Sequence, residues 1–160
     1  MKHLLWKILS IVALMIITSA STAQEHDVFS HAVLRLPHDL KSEEPWTRII
    51  NTQEEWQLFY DELFAENEMS PVSLPAPLLD FENYLLLAGG LGVRSSGGFT
   101  VSVESVHEFE NEIFIQVLEI LPGAHCVVTM GITYPSTAIL IKKTNKPFKS
   151  SVLKATHDCS

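Results

Sequence analysis

Trp56, Phe59, Tyr60, Leu63 and Phe64 recur at i, i+3, i+4, i+7 and i+8. That spacing lays large apolar side chains along one face of a helix, with Glu54, Glu55, Gln57, Asp61 and Glu62 off it. Thr52-Gln53-Glu54-Glu55 supplies a capping box at its start, with Thr52 as N-cap and Glu55 reaching back. A lone helix cannot bury such a stripe, so this one must lie on a sheet. An aromatic stripe at this period reads as core packing rather than as a ligand box.

The rest of the chain supplies strands. Val28 to Leu36, ending at Pro37, reads as a first strand at a sheet edge, and Trp46 to Ile50 as a second. Glu66 to Leu79, with Pro71, Pro75 and Pro77, has no period and reads as an extended connector. Tyr84 to Ala88 is a continuous apolar run, the pattern of a central strand covered on both faces. Phe99, Val101 and Val103 alternate with polar residues, then Val106 breaks the phase, which calls for a bulge near Ser105. Glu110-Asn111-Glu112 is a turn, Ile113, Ile115 and Val117 resume the alternation, and Pro122-Gly123 turns the chain again. Cys126 to Ile132 and Thr137 to Lys142 read as strands split by Tyr134-Pro135, and Ser150 to Ala155 as a last short strand after the turn at Asn145-Lys146-Pro147. Strands of this length and spacing with one helix give an α+β class: a β-rich small sandwich or partly open barrel of about seven antiparallel strands.

The first residues read as export chemistry. Lys2 and Lys7 flank the start of the apolar stretch Ile8 to Ile17, which is too short to span a bilayer, and Ser21-Thr22-Ala23 offers a small-residue cleavage site. The expected division is a signal peptide over 1–23 and a single domain over 24–160. The part from Gln24 on carries 9 basic and 19 acidic residues, a formal charge of −10. Such a surface repels nucleic acid and anionic membrane, so neither is expected as a partner. The expected location is periplasmic or secreted.

Cys126 and Cys159 are the chain's cysteines, and in an exported protein they read as a disulfide tying the C-terminus to the body. A metal site built from His125-Cys126 and His157-Asp158-Cys159 is disfavoured, because adjacent residues on a strand point to opposite faces. No cofactor or metal is expected.

The stretch Leu91-Gly92-Val93-Arg94-Ser95-Ser96-Gly97-Gly98-Phe99 raises the functional question. The paired glycines suit a tight turn, with Ser95 and Ser96 bonding the local backbone. With Gly89, Gly90 and Gly92 they also suggest close approach of another backbone, from this chain or a partner. Arg94 has an ordinary reading as an exposed ion pair. Catalysis has little to stand on. No Gly-x-Ser-x-Gly elbow is present, nothing in the spacing links His107 or His125 to Ser95 or Ser96, and a strand rather than a helix follows the glycines.

Gly92-Val93-Arg94-Ser95-Ser96-Gly97-Gly98-Phe99, followed by Leu121-Pro122-Gly123 and Thr133-Tyr134-Pro135 and preceded by Asp80-Phe81, resembles the PrcB C-terminal domain family over about residues 80 to 143. Ser96 and Phe99 stand where threonine and tyrosine are more usual in that family. The resemblance implies a non-catalytic, β-rich domain that binds or stabilises a protease. It directs attention to Arg94, Ser95, Ser96, Gly97, Gly98 and Phe99 as a protein-binding loop, with Tyr134 and Pro135 beside it. The expected function is an exported binding module for a secreted or periplasmic protease. The alternatives are a structural envelope protein with no protease partner and, more remotely, a small serine hydrolase using Ser96.

Overall fold

A computed structural model describes residues 27–65 and 74–159. The expected signal segment lies outside the described residues. The elements in chain order are β1 (Asp27–Val28), β2 (His31–Leu34), β3 (Trp46–Ile50), α1 (Gln53–Ala65), β4 (Tyr84–Gly90), β5 (Thr100–Glu108), β6 (Ile113–Pro122), β7 (Ser136–Lys142) and β8 (Phe148–His157). The strands form two four-stranded sheets, an outer one in the order β1-β5-β6-β8 and an inner one in the order β2-β7-β4-β3. The small α+β sandwich expected from the sequence is the architecture found, with α1 as a third layer.

The continuous apolar run of β4 is explained by its position. Leu86 and Ala88 face α1 and pack with Ile50, Trp56, Phe59, Leu63 and Ala138. Leu85 and Leu87 face the outer sheet and pack with Val106, Ile113, Ile115, Ile139 and Ile141. β4 thus lies between two cores, and neither of its faces can be polar. The helix opens as its sequence demands: the Glu55 amide donates to Thr52 Oγ1 at 3.1 Å, while the Glu55 carboxylate accepts from the Asn51 amide at 2.7 Å, one residue further back than in the usual box. Gln53 and Gln57, off the apolar stripe, fasten the connector to the helix. Gln53 Oε1 accepts from the Leu79 amide and Gln57 Oε1 from the Ala76 amide, and Trp56 Nε1 donates to the Pro77 carbonyl.

The bulge falls where the phase slip put it. Val103 pairs with Val117 and Ser105 with Gln116, so Glu104 is the extra residue, and Val106 returns to the inner face. Gly89 and Gly90 belong to β4 itself, paired with β3 and β7. A Cβ on Gly90 would lie 2.8 Å from Trp46 Cε2, so this glycine exists to let an indole lie across the strand.

The structure departs from the sequence reading in three places. The segment Val28 to Leu36 is two short strands, not one, because the chain crosses at Phe29 from the outer sheet to the inner sheet and leaves Phe29 in the core between them. Cys126 to Ile132 is a loop, not a strand. Among the described residues no strand pairs with it, and Val127, Met130 and Ile132 are exposed. The final strand is longer than Ser150 to Ala155 and runs parallel to β6, because the link after β7 returns the chain to the end where β6 begins. The sheets are therefore mostly, not wholly, antiparallel.

Replacing Gly90 with alanine should destabilise the domain by about 1–3 kcal/mol, since the methyl group has to displace the Trp46 ring. A urea titration with an unchanged midpoint would show that the ring has room to move.

Candidate functional site

The glycine-rich loop is one half of a two-part structure. Between β4 and β5 the chain makes an isolated antiparallel bridge from Arg94 to Thr133, in the loop ahead of β7. The Arg94 amide donates to the Thr133 carbonyl at 2.8 Å and the Thr133 amide returns a bond of 3.0 Å to the Arg94 carbonyl. Thr133 Oγ1 donates to the Ser96 carbonyl at 2.8 Å, the Gly97 amide to the Thr129 carbonyl at 2.9 Å, and the Leu91 amide to the Pro135 carbonyl at 2.9 Å. The segments 91–99 and 126–135 are thereby zipped together. The disulfide Cys126–Cys159 ties the second of them to the end of β8.

The glycines are required by this zipper. Gly97 is buried against Thr129, with no room for a Cβ. Gly98 has φ of 87° and would carry a Cβ 2.8 Å from Val128 Cγ1 and 3.0 Å from Pro122 Cβ. The Thr129 backbone beside Gly97 and the Val128 and Pro122 side chains beside Gly98 belong to this same chain.

Arg94 is turned inward. Its guanidinium donates to the carbonyls of Leu91 and Val93 at 2.8 and 3.0 Å, lies over the Phe99 ring at 5.7 Å, and donates to Glu119 Oε1 at 2.9 Å. Glu119 is 3 % exposed and is the buried charged residue of the described core. The exposed ion pair expected for Arg94 is therefore a partly buried one. Lys154 Nζ of β8 adds a contact of 3.2 Å to the other carboxylate oxygen. Burial pushes the Glu119 carboxyl up, but the hydrogen bonds and charges of Arg94 and Lys154 outweigh it and hold the group below its ordinary value. The ion pair thus spans loop 91–99, β6 and β8.

The other sequence-derived residues sort by exposure. Ser95 and Gly98 are exposed, Ser96 and Phe99 half-buried, and Pro135 is buried with its carbonyl committed to Leu91. Tyr134 lines a shallow cleft of about 310 Å³ with His38, Asp39, Leu63 and Ile132. Ser105 Oγ lies 3.0 Å from His107 Nε2, but both sit on the outward face of β5 and neither lines this cleft or the larger one between the sheets. Three features escaped the sequence reading. Glu119 continues the inward series Ile113, Ile115, Val117, and a carboxylate in that phase signals a buried partner. Lys154 and the exposed tip of Val127, Met130 and Ile132 were absorbed into expected strands.

Residues 85–142, from β4 to the end of β7, match the PrcB C-terminal family model, as the loop and its flanking turns had suggested. The matched segment holds Arg94, Glu119 and Thr133 together. No curated protein and no solved structure matches the chain.

Arg94→Ala should cost about 3 kcal/mol in urea unfolding, because it strands a buried carboxylate with Lys154 alone. A loss within about 0.5 kcal/mol would mean the pair behaves as a surface one. Since the Glu119 carboxyl is lowered on folding, its contribution is complete above its unfolded value and is lost as pH falls through the folded one. Glu119→Gln should accordingly flatten the acid limb of the stability–pH curve. An identical limb in both proteins would contradict this assignment.

Proposed function

We propose, from the PrcB C-terminal domain carried by residues 85–142, that this chain is an exported, non-catalytic binding module that associates with a secreted or periplasmic protease and stabilises or modulates it. In this reading residues 1–23 are a signal peptide, Gln24 starts the mature chain, and 24–160 act as one PrcB-like domain. The disulfide between Cys126 and Cys159 is in keeping with an oxidising compartment.

One observation carries the reading: Val127 and Met130 are fully exposed and Ile132 largely so, on a loop that the disulfide and the Arg94–Thr133 bridge clamp in place. Apolar side chains presented by a rigid tip contribute little to this chain's own folding, and they suit a partner's concave apolar surface. The tip stands on the glycine-rich loop. Gly97 and Gly98 allow Thr129 and Val128 to seat, while Ser95 and Gly98 supply exposed polar backbone beside the apolar prongs. Arg94 and Pro135 act here as supports of the docking loop, and Tyr134 flanks it.

The test is co-purification of the mature, oxidised chain with exported proteases of its own cell envelope. A single protease should co-elute, and its lifetime or activity should change on mixing. The pair Val127→Asp and Met130→Asp should weaken that association tenfold or more without altering the thermal midpoint, since neither side chain packs in the core. Failure of every candidate protease to co-elute would leave an envelope structural protein as the better reading.

A further inference from the structure

Along β4 and its neighbour β7 the side chains that face the outer sheet shrink toward one end. The pairs are Leu85 with Ile141, Leu87 with Ile139, and then Gly89 with Thr137. Thr47 of β3 pairs with Gly89 on its other side, so threonine, glycine and threonine form one row across three strands. The outer sheet keeps its valines toward the same space: Val103 pairs with Val117, and Val117 with Val152 of β8. Val103 and Val117 are only half-buried, although Val106 and Ile113 on the same face are fully enclosed.

The shortfall leaves a slot of about 410 Å³ that opens between β3 and β8, the last strands of their sheets. Ile49 and Val152 line it from either side, and each is 50 % exposed. The volume falls in the range of about 300–1,000 Å³ that small-molecule pockets occupy. Crowding does not demand Gly89 as it demands Gly90. A Cβ on Gly89 would lie 3.2 Å from the Trp46 carbonyl oxygen and 3.6 Å from Thr47 Cγ2, whereas one on Gly90 would run into the Trp46 ring.

The charged groups nearby are already spent. Arg48 pairs with Glu62 of α1, on the other face of the inner sheet, and Lys149 pairs with Glu112. Lys154 stands in phase with Val152 but is committed to Glu119, which Arg94 also holds. What faces the slot is aliphatic, relieved by the hydroxyl side chains of Thr47, Thr137 and Ser150. None of these three hydroxyls bonds another described residue.

We propose that this slot binds one small, neutral, largely apolar molecule: an alkyl chain or ring that carries a single hydroxyl or carbonyl group. Its apolar body takes the place of the side chain missing at Gly89 and covers Leu87, Val103 and Val117 from water. Its polar group bonds the Thr137 hydroxyl. A carboxylate or an ammonium group fits poorly, because the slot offers no free counter-charge. A peptide strand fits poorly as well. Facing sheets lie about 10 Å apart, so the space is one side chain deep, and a backbone pushed into it would leave its amides and carbonyls without partners. The slot is separate from the Val127–Met130 tip, and the proposal does not depend on a protease partner.

N-phenylnaphthylamine, a neutral dye that brightens in apolar surroundings, tests it on the full oxidised mature chain. The dye should bind saturably at one site per chain. Decanol should displace it, and decanoate and decyltrimethylammonium should do so at least tenfold more weakly. Val152→Trp should weaken the dye tenfold or more by setting an indole in the mouth, with an unchanged thermal midpoint because Val152 is half-exposed. Thr137→Val, which keeps the shape and removes the hydroxyl, should weaken decanol at least threefold without lowering the midpoint. No saturable dye binding, equal displacement by the charged amphiphiles, or no effect of either substitution would overturn the proposal. Dye binding that vanishes in the variant carrying Val127→Asp and Met130→Asp would also overturn it, by placing the dye on the exposed tip. So would a concentration-dependent dimer that excludes the dye, which makes a second copy the occupant. Co-sedimentation with phosphatidylcholine vesicles that Val152→Trp abolishes would overturn it as well, by making a bilayer the source of the apolar group.

Discussion

A carboxylate on the inward face of a strand is the constraint from which this structure is best understood. β6 alternates apolar side chains into the space between the sheets and then places Glu119 in the same phase. A buried carboxylate needs a cation and hydrogen bonds, or it loses its charge. Arg94 provides both, and the demand reaches outward from there. For the guanidinium to arrive at Glu119, the chain leaving β4 must fold back so that its carbonyls at Leu91 and Val93 meet the same group. With Arg94 held, its backbone is placed to bridge Thr133, and the loop ahead of β7 is drawn alongside.

This arrangement recasts the glycines. They appear as a flexible stretch in the sequence, but in the fold they are the points at which two loops touch. Gly97 accommodates Thr129, and Gly98 accommodates Val128 and Pro122 in a left-handed backbone conformation. The side chains left over from that contact, Val127 and Met130, have nowhere to go but outward. Beneath the loop pair, the Arg94–Glu119 pair and the backbone bonds to Thr129 and Thr133 therefore support an apolar tip. The same sandwich leaves its far side unsealed between β3 and β8, where an apolar cleft enters.

Much of the fold was legible because it rests on periodicity. The stripe from Trp56 to Phe64 located the helix, the unbroken apolar run located β4 between two cores, and the slip at Val106 located the bulge at Glu104. Long-range partners were not legible. Val127 and Val128 have the β-branched composition of a strand, but a strand also needs a neighbour, and composition does not report one. The parallel placement of β8 depends on where the link after β7 ends, which no local pattern encodes. At the site, the loop and its glycines could be singled out by motif, whereas the role of Arg94 was hidden because its partner stands twenty-five residues away. Glu119 could have been found by continuing the count of inward positions along β6 by one more step.

The claim that Arg94 and Glu119 together hold the two loops as one body is tested most directly by a double-mutant cycle read through amide hydrogen exchange at Arg94, Gly97 and Thr133. The variants are Arg94→Met, Glu119→Leu and the two combined. Coupling of about 1 kcal/mol or more in the local opening free energy is the predicted result, with each single change exposing all three amides. Opening energies that add within about 0.3–0.5 kcal/mol, or amides that stay protected in both single variants, would contradict it.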